Sequence, residues 1–417
     1  MFIQFSALKP ITALEREPIL DALRGFAILG ILLINIQVMR SPDWFVLLKG
    51  GAVNPPSGLI DAIVRFAIGW LATGKFVSSL AILFGVGAAL IAARALRDGR
   101  SPRPLLFRRY AWLMVLGVAH MLLYPGDILF VYGVTGIALL PFAMLGVRAL
   151  ARWSAAIFIA FNFLDLLYLL SFSTAEAAPY MRDGHPPAAD SDLALVRELT
   201  TAAFTSGSYR DIVSVHTGQA LLLQSMQLSA LPWILALFLL GYAVGRAGVL
   251  SNLAVHRVLL KRGAVLGLGL GLPANIGLGF GGPLAGWGAS SVGEPQWITH
   301  WQALGYVIGE PVLAIGYLCA LSLLFLRRGT PAPLVAVGRM ALTAYVLQSA
   351  LGLWAFAGIG LYDQLTSGGA LIMVLLIWSV LLVGCPLWLR AFQMGPAEWL
   401  WRSMTYGRLQ PIRIARG

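Results

Sequence analysis

Charge is scarce in this chain. Only 12% of its 417 residues are Asp, Glu, Lys or Arg, and 59% are hydrophobic. A soluble domain carries about 25% charged residues, so a water-soluble enzyme with a single anchor is excluded in favour of a polytopic membrane protein. Cysteine is almost absent. Cys319 and Cys385 both fall in apolar runs and cannot form a disulfide framework or a Cys-based metal site, which leaves them as packing residues. The five histidines are scattered, and no H-E-x-x-H, C-x-x-C or G-x-S-x-G pattern occurs, so no metal site is expected. Acidic residues number 18 against 30 basic ones. The resulting charge of +12 does not point to nucleic acid, because it resides in Arg clusters of short loops between apolar runs. Neither a cleavable leader nor a solenoid repeat is evident: Met1 to Glu17 is polar and mixed in charge, and no small-residue cleavage pattern follows the first span.

What the chain does have is a series of apolar stretches near the length needed to cross a bilayer, about 17–25 residues. They fall near 19–39, 75–93, 110–125, 128–146, 153–172, 228–245, 263–280, 302–326, 338–358 and 369–388. The expected fold is therefore all-α, a single integral-membrane domain over 1–417 with about ten transmembrane helices. The segment 59–74 is read as an amphipathic helix in the outer interface, with Asp61 and Arg65 one turn apart. That reading keeps every basic group on one side: Arg94 to Arg109, Arg148 and Arg152, Arg246 to Arg262, Arg327 and Arg328, and Arg390 to Arg416. By the positive-inside rule this side is the cytoplasm, which puts both termini there. The loop 173–216 is net acidic and is read as an outer lid, with a short helix from Asp192 to Thr205 capped by Ser191. The segment 389–417 is read as a cytoplasmic interfacial tail, its Trp399 and Trp401 forming an aromatic belt.

Several polar residues lie where lipid would penalise them. A charge at the bilayer centre costs roughly 2.5–3.5 kcal/mol on insertion scales, so it faces a partner or a wet cavity. In the first span Arg24 and Asn35 project about 20° apart, with Asp21 one turn before Arg24. Such a stripe either faces a functional cavity or forms a structural ion pair. His120 lies within the third span, which ends at Pro125 and is followed by Gly126-Asp127. It can take a proton or act as a nucleophile, or it can simply be satisfied by a nearby carbonyl. Asp127 can orient His120, cap the next helix, or do both. Lys75 opens the second span at the outer edge, where it snorkels or faces inward toward an anionic group. Glu310, before Pro311, is expected to face a cavity, whereas Thr343 and Gln348 are expected to bond between helices. The glycine-rich run Gly263 to Gly282 is read as helix packing with a break at Pro273 and Asn275, since no phosphate-loop signature accompanies it.

The blocks REPILDALRGFAILGILLINI, KFVSSLAILFGVG, GVAHMLLYPGDILFVYGVTG, GRMALTAYVLQS and GPAEWLWRSMTYG, in this order and over nearly the whole chain, resemble the YeiB-like bacterial inner-membrane proteins. That family is distantly similar to the multispan acyltransferases, which include the acyltransferase-3 proteins and the lysosomal heparan-glucosaminide acetyltransferase. The resemblance places its LDxLRG block on Leu20, Asp21, Leu23, Arg24 and Gly25, and its histidine block on His120, Gly126 and Asp127. Two positions depart from the pattern. Asn35 stands where acyltransferase-3 proteins carry a histidine, and Ala344 where the GRMALT block usually continues with asparagine.

The resemblance implies an inner-membrane acyltransferase that moves an acyl group from a cytoplasmic donor to an acceptor at the outer face. His120 and Asp127 would be catalytic, and Asp21, Arg24, Asn35, Lys75 and Glu310 would bind substrate. No cofactor is firmly implied, and acyl-CoA would be a co-substrate. Membrane lipid, the donor, the acceptor and a second copy in a homodimer are the expected partners. The alternative is a transporter or lipid-binding protein that keeps the scaffold without catalysis.

Overall fold

The computed structural model describes residues 17–48, 55–171, 190–250, 252–281 and 296–414. Among these residues the fold is helical throughout, and a lone Phe392–Arg413 bridge is the one β contact. The chain runs through α1 (Pro18–Met39), α2 (Asp43–Leu48), α3 (Leu59–Leu71), α4 (Lys75–Arg97), α5 (Arg103–His120) and α6 (Leu129–Ala138). It continues through α7 (Val147–Ser171), α8 (Asp190–Thr205), α9 (Tyr209–Ser229), α10 (Leu231–Arg246), α11 (Arg257–Ala274) and α12 (Ile276–Gly281). The remaining helices are α13 (Gln296–Leu304), α14 (Glu310–Arg328), α15 (Ala332–Arg339), α16 (Ala341–Leu353), α17 (Ser367–Trp388) and α18 (Pro396–Tyr406).

Among the described residues, six helical stretches are long and apolar enough to cross a membrane: Pro18–Met39, Leu59–Arg97, Val147–Leu164, His300–Arg328, Ala341–Gly358 and Ser367–Trp388. A seventh is the pair α9 and α10, bent by 60°. The expected ten spans are not confirmed, because several of the expected stretches are shorter or broken. The stretch 128–146 is not one helix: α6 stops at Ala138, and a 3-10 turn follows over Leu140–Phe142. Pro141 explains the stop, since it lacks an amide N–H and its ring crowds the preceding turn. Helix α5 ends at His120, short of Pro125, and opens on Arg103, Arg108 and Arg109. The break between α9 and α10 falls next to Pro232. Helix α11 likewise stops at Ala274, after Pro273 and before Asn275.

Segment 59–74 carries a helix of its own, α3, separated from α4 by a short break, and the two together make one 39-residue apolar stretch. At 1.5 Å per residue this is about 58 Å, longer than a hydrocarbon core of about 30 Å, so part of it lies beyond the core. The left-handed backbone at Gly74 marks the joint. In the 173–216 loop, α8 begins at Asp190, so Ser191 lies inside the first turn instead of capping it, and His216 belongs to α9. Glu176 and Asp183 lie outside the described residues.

Helix α1 is the central post, buried along most of its length. It packs on α15 so closely that a side chain on Gly25 or Gly338 would strike the opposite backbone. The glycine run behaves as expected: Gly267 and Gly271 let α11 approach Gly316 and Leu313 of α14. Cys385 is buried and Cys319 half-buried, both free. The tail is less superficial than expected. Trp401 is buried, donates to the Arg109 carbonyl at 2.8 Å, and has the Arg109 guanidinium 3.6 Å above its ring. A cation over an indole face is attractive, so Trp401 binds the tail to α5 instead of facing the interface.

Candidate functional site: a buried Ser-His-Asp chain

The site forms where α5 ends. Leu123 and Tyr124 donate backbone N–H groups to the His120 carbonyl, and the chain turns through Pro125-Gly126 into α6. This turn returns Asp127 to the imidazole, with His120 Nδ1 2.8 Å from Asp127 Oδ1. The other oxygen, Oδ2, accepts the Phe130 N–H at 2.8 Å at the start of α6. Both sequence readings of Asp127 therefore hold, as orienter and as helix cap. Gln224 of α9 donates to the Asp127 carbonyl at 2.8 Å, which ties the turn to the neighbouring helix. Gly117 faces Phe130 and the carboxylate so closely that a Cβ there would collide.

The opposite ring nitrogen, Nε2, lies 2.9 Å from Ser349 Oγ on α16. Ionised Asp127 can only accept, so Nδ1 carries the imidazole proton and Nε2 presents its lone pair. Ser349 then donates its hydroxyl proton to Nε2. Its second contact, to the Tyr345 carbonyl, is longer at 3.4 Å. The result is a Ser-His-Asp chain with the hydrogen-bond order of a serine nucleophile and its base. His120, Asp127 and Ser349 are all buried. The Tyr345 ring lies beside the imidazole, its centroid 4.7 Å away.

Asn35 belongs to the same neighbourhood through Tyr124, whose hydroxyl donates to Asn35 Oδ1 at 3.2 Å and whose ring centroid is 6.3 Å from that of His120. Tyr124 also walls a small cavity with Pro125, His216, Gln219, Leu353 and Tyr362. Its free space is about that of one water molecule. Phe204 of α8 stacks on Tyr362 at 4.1 Å and closes this end.

The remaining candidates sit elsewhere. Asp21 and Arg24 pair at 3.2 Å near the start of α1, where Arg24 keeps about a third of its side chain exposed. Eleven residues of helix, about 16 Å, separate Arg24 from Asn35. Lys75 is wholly buried and neither snorkels nor meets His120: its Nζ donates to the Gly69 carbonyl at 3.2 Å and lies in the field of Glu310. Glu310 packs against Gly74 and follows a π-helical segment, Gly305–Gly309. Pro311 accounts for that segment by crowding the carbonyl one turn back, and such bulges recur at functional sites. Of Asn35, Lys75, His120 and Asp127, three therefore lie in one neighbourhood and Lys75 stands apart. Gln348 and Thr343 do bond between helices: Gln348 donates to the Ile28 carbonyl at 3.0 Å, and Thr343 donates to Glu398 at 2.6 Å.

Sequence reasoning missed Ser349. It is the last residue of the GRMALTAYVLQS block, and serines in apolar helices usually back-bond to their own helix. Its only signal was its place in that block. Among the described residues no group of three or more His, Cys, Asp or Glu is arranged to hold a metal.

Comparison with known proteins adds the family. A model described as a protein of unknown function, DUF418, matches residues 244–408. The chain is 28% identical to the uncharacterised protein YxaH of Bacillus subtilis (strain 168), covering 98% of both chains. It is 29% identical to an uncharacterised 39.9 kDa protein from the amylase 3' region of Bacillus acidopullulyticus, covering 98% of this chain and 99% of that one. No solved structure matches. Identity to the uncharacterised protein YeiB of Escherichia coli (strain K12) is 30%, over 94% of this chain and 97% of the relative, and the chain therefore belongs to the YeiB-like family.

Proposed function

We propose that the protein is a membrane-embedded acyltransferase with His120 as its general base and Asp127 as the residue that orients the imidazole. The supporting observation is the chain of two short hydrogen bonds through His120, 2.8 Å to Asp127 and 2.9 Å to Ser349. Burial excludes water from the imidazole, which favours transfer to an acceptor over hydrolysis. The donor is an acyl thioester such as acyl-CoA entering from the cytoplasmic side, with Arg24 at that entrance. The acceptor arrives at the opposite face, past Tyr124 and Asn35. In this reading the cavity at Tyr124 is a closed state, and α8 is the lid that moves. Lys75 and Glu310, each within the other's electrostatic reach, shape the membrane interior instead of gripping substrate.

A general base of this kind contributes about 10²–10⁴-fold. Protein in lipid nanodiscs, supplied with radiolabelled acetyl-CoA and a membrane extract, should transfer label to an acceptor, and His120→Ala should abolish the transfer. Undiminished transfer by that variant would remove His120 from the chemistry.

A second reading, a transporter or lipid-handling protein without catalysis, draws on two observations: the closed surroundings of His120 and the breaks in several helices, including the 60° bend between α9 and α10. Mass spectrometry of the purified protein separates the two, since copurified phospholipid without any acyl turnover would favour the second.

A further inference from the structure

We infer that Ser349 is the nucleophile of this site, and that acyl transfer runs in two steps through a Ser349 ester. The inference rests on the acyltransfer reading above and adds a residue and an intermediate to it.

Ser349 Oγ is the atom that His120 Nε2 addresses, at 2.9 Å. The orienting bond on the other side of the ring fixes the tautomer, so the first proton within reach of Nε2 is that of the serine hydroxyl. A direct transfer, in which His120 deprotonates the acceptor, would first have to displace this serine from the lone pair. Nothing about helix stability requires the bond. The helix already offers Ser349 an acceptor in the Tyr345 carbonyl, and the side chain forgoes the close approach usual for such a back-bond, staying 3.4 Å from it. Three helices converge to make the contact, with His120 on α5, Asp127 before α6 and Ser349 on α16. The contact joins residues 229 positions apart in the chain.

The chemistry balances with a thioester donor and a hydroxyl or amine acceptor. Ser349 Oγ attacks the thioester carbonyl as its proton passes to His120 Nε2. The carbon–sulfur bond breaks, and the thiol leaves with that proton, which leaves an ester on Ser349 and a neutral imidazole. The acceptor then enters, His120 takes its proton, and the acceptor oxygen or nitrogen attacks the ester carbonyl. The ester bond breaks, and Ser349 Oγ recovers the proton from His120. No oxidant or reductant is needed.

The test uses full-length protein in nanodiscs with two probes, a biotinylated fluorophosphonate and p-nitrophenyl butyrate. Peptide mapping should find the phosphonate on Ser349, and intact mass should show a butyryl adduct. Ser349→Ala and His120→Ala should each lower labelling by about 10²-fold or more, with the elution profile unchanged. Ser349→Cys provides an independent check, because its thioester adduct should be trapped on that peptide. Wild-type protein with no phosphonate on Ser349 would overturn the inference. So would acyl transfer by Ser349→Ala at the wild-type rate; if His120→Ala were then inactive, the His120 reading would stand and only the serine step would fall. Full activity in both variants would overturn both.

Discussion

At His120 a single proton position determines what the residue can do. Asp127 gives one oxygen to the imidazole and the other to the Phe130 N–H, and both groups need an acceptor. Asparagine has only one carbonyl oxygen. In Asp127→Asn that oxygen would stay with the Phe130 N–H, and the amide would donate to Nδ1. The imidazole proton would then shift to Nε2, and the lone pair facing Ser349 would be lost. Fluorophosphonate labelling of Ser349 should fall by roughly 10²–10⁴-fold while the melting temperature changes little. Unchanged labelling would show that Asp127 serves only to cap α6.

Individual helices are held by contacts that hydropathy does not report. The start of α16, the helix that carries Ser349, is capped from α18. Glu398 accepts the Leu342 N–H at 2.6 Å, the Thr343 N–H at 3.1 Å and the Thr343 hydroxyl at 2.6 Å. A carboxylate at a helix N-terminus satisfies orphan amides and meets the positive end of the dipole. Removing it leaves buried N–H groups without partners, at a cost of about 1–3 kcal/mol. Glu398→Ala should therefore lower the melting temperature and, by loosening α16, slow the labelling of Ser349. Burial also pushes the Glu398 carboxyl above its ordinary value, against the opposing pull of its hydrogen bonds to Thr343. The folded state then keeps this proton to a higher pH than the unfolded chain does. Stability from this group falls as pH rises from the ordinary carboxylate range, about 4.3, through the raised value. Thermal melts across that window should show this decline in the wild type and a flatter profile in Glu398→Gln.

On the scale of the molecule, the two ends of α1 differ in charge. Arg24, Arg109 and Arg339 gather around its start together with the α18 tail. Around its end, Arg40, Asp43, Arg197 and Asp363 form a mixed network in which Arg197 reaches Asp43 at 2.6 Å and Asp363 at 3.7 Å. The basic end is the one expected to face the cytoplasm. Reporter fusions at the two termini should both give cytoplasmic signals, and an alkaline-phosphatase reporter inserted near residue 180 should be active. The mixed network also attaches α8 to the body, through Arg197 and the Phe204–Tyr362 stack. In Arg197→Ala, hydrogen exchange across α8 should rise while exchange in α1 stays the same. Equal rises in both helices would count against α8 as a separately moving lid.

The sequence by itself determined that the chain is helical and apolar enough for a membrane, because length and composition of an apolar run are local properties that need no partner. It offered the His120–Asp127 pair as one of its alternatives, since the Pro125-Gly126 turn brings back a residue only seven positions away. Helix ends were less legible, because single prolines such as Pro141 and Pro232 break apolar runs that hydropathy joins. The tertiary structure alone decided the partners of distant side chains. It brought Ser349 to Nε2, set Lys75 beside Glu310 instead of His120, and hung Asn35 on Tyr124. Such pairings depend on the rotation and height of one helix against another, and these are set by small-residue contacts such as Gly25 with α15 and Gly117 with α6. A helix can satisfy its own backbone in any such arrangement, so only packing selects which side chains meet.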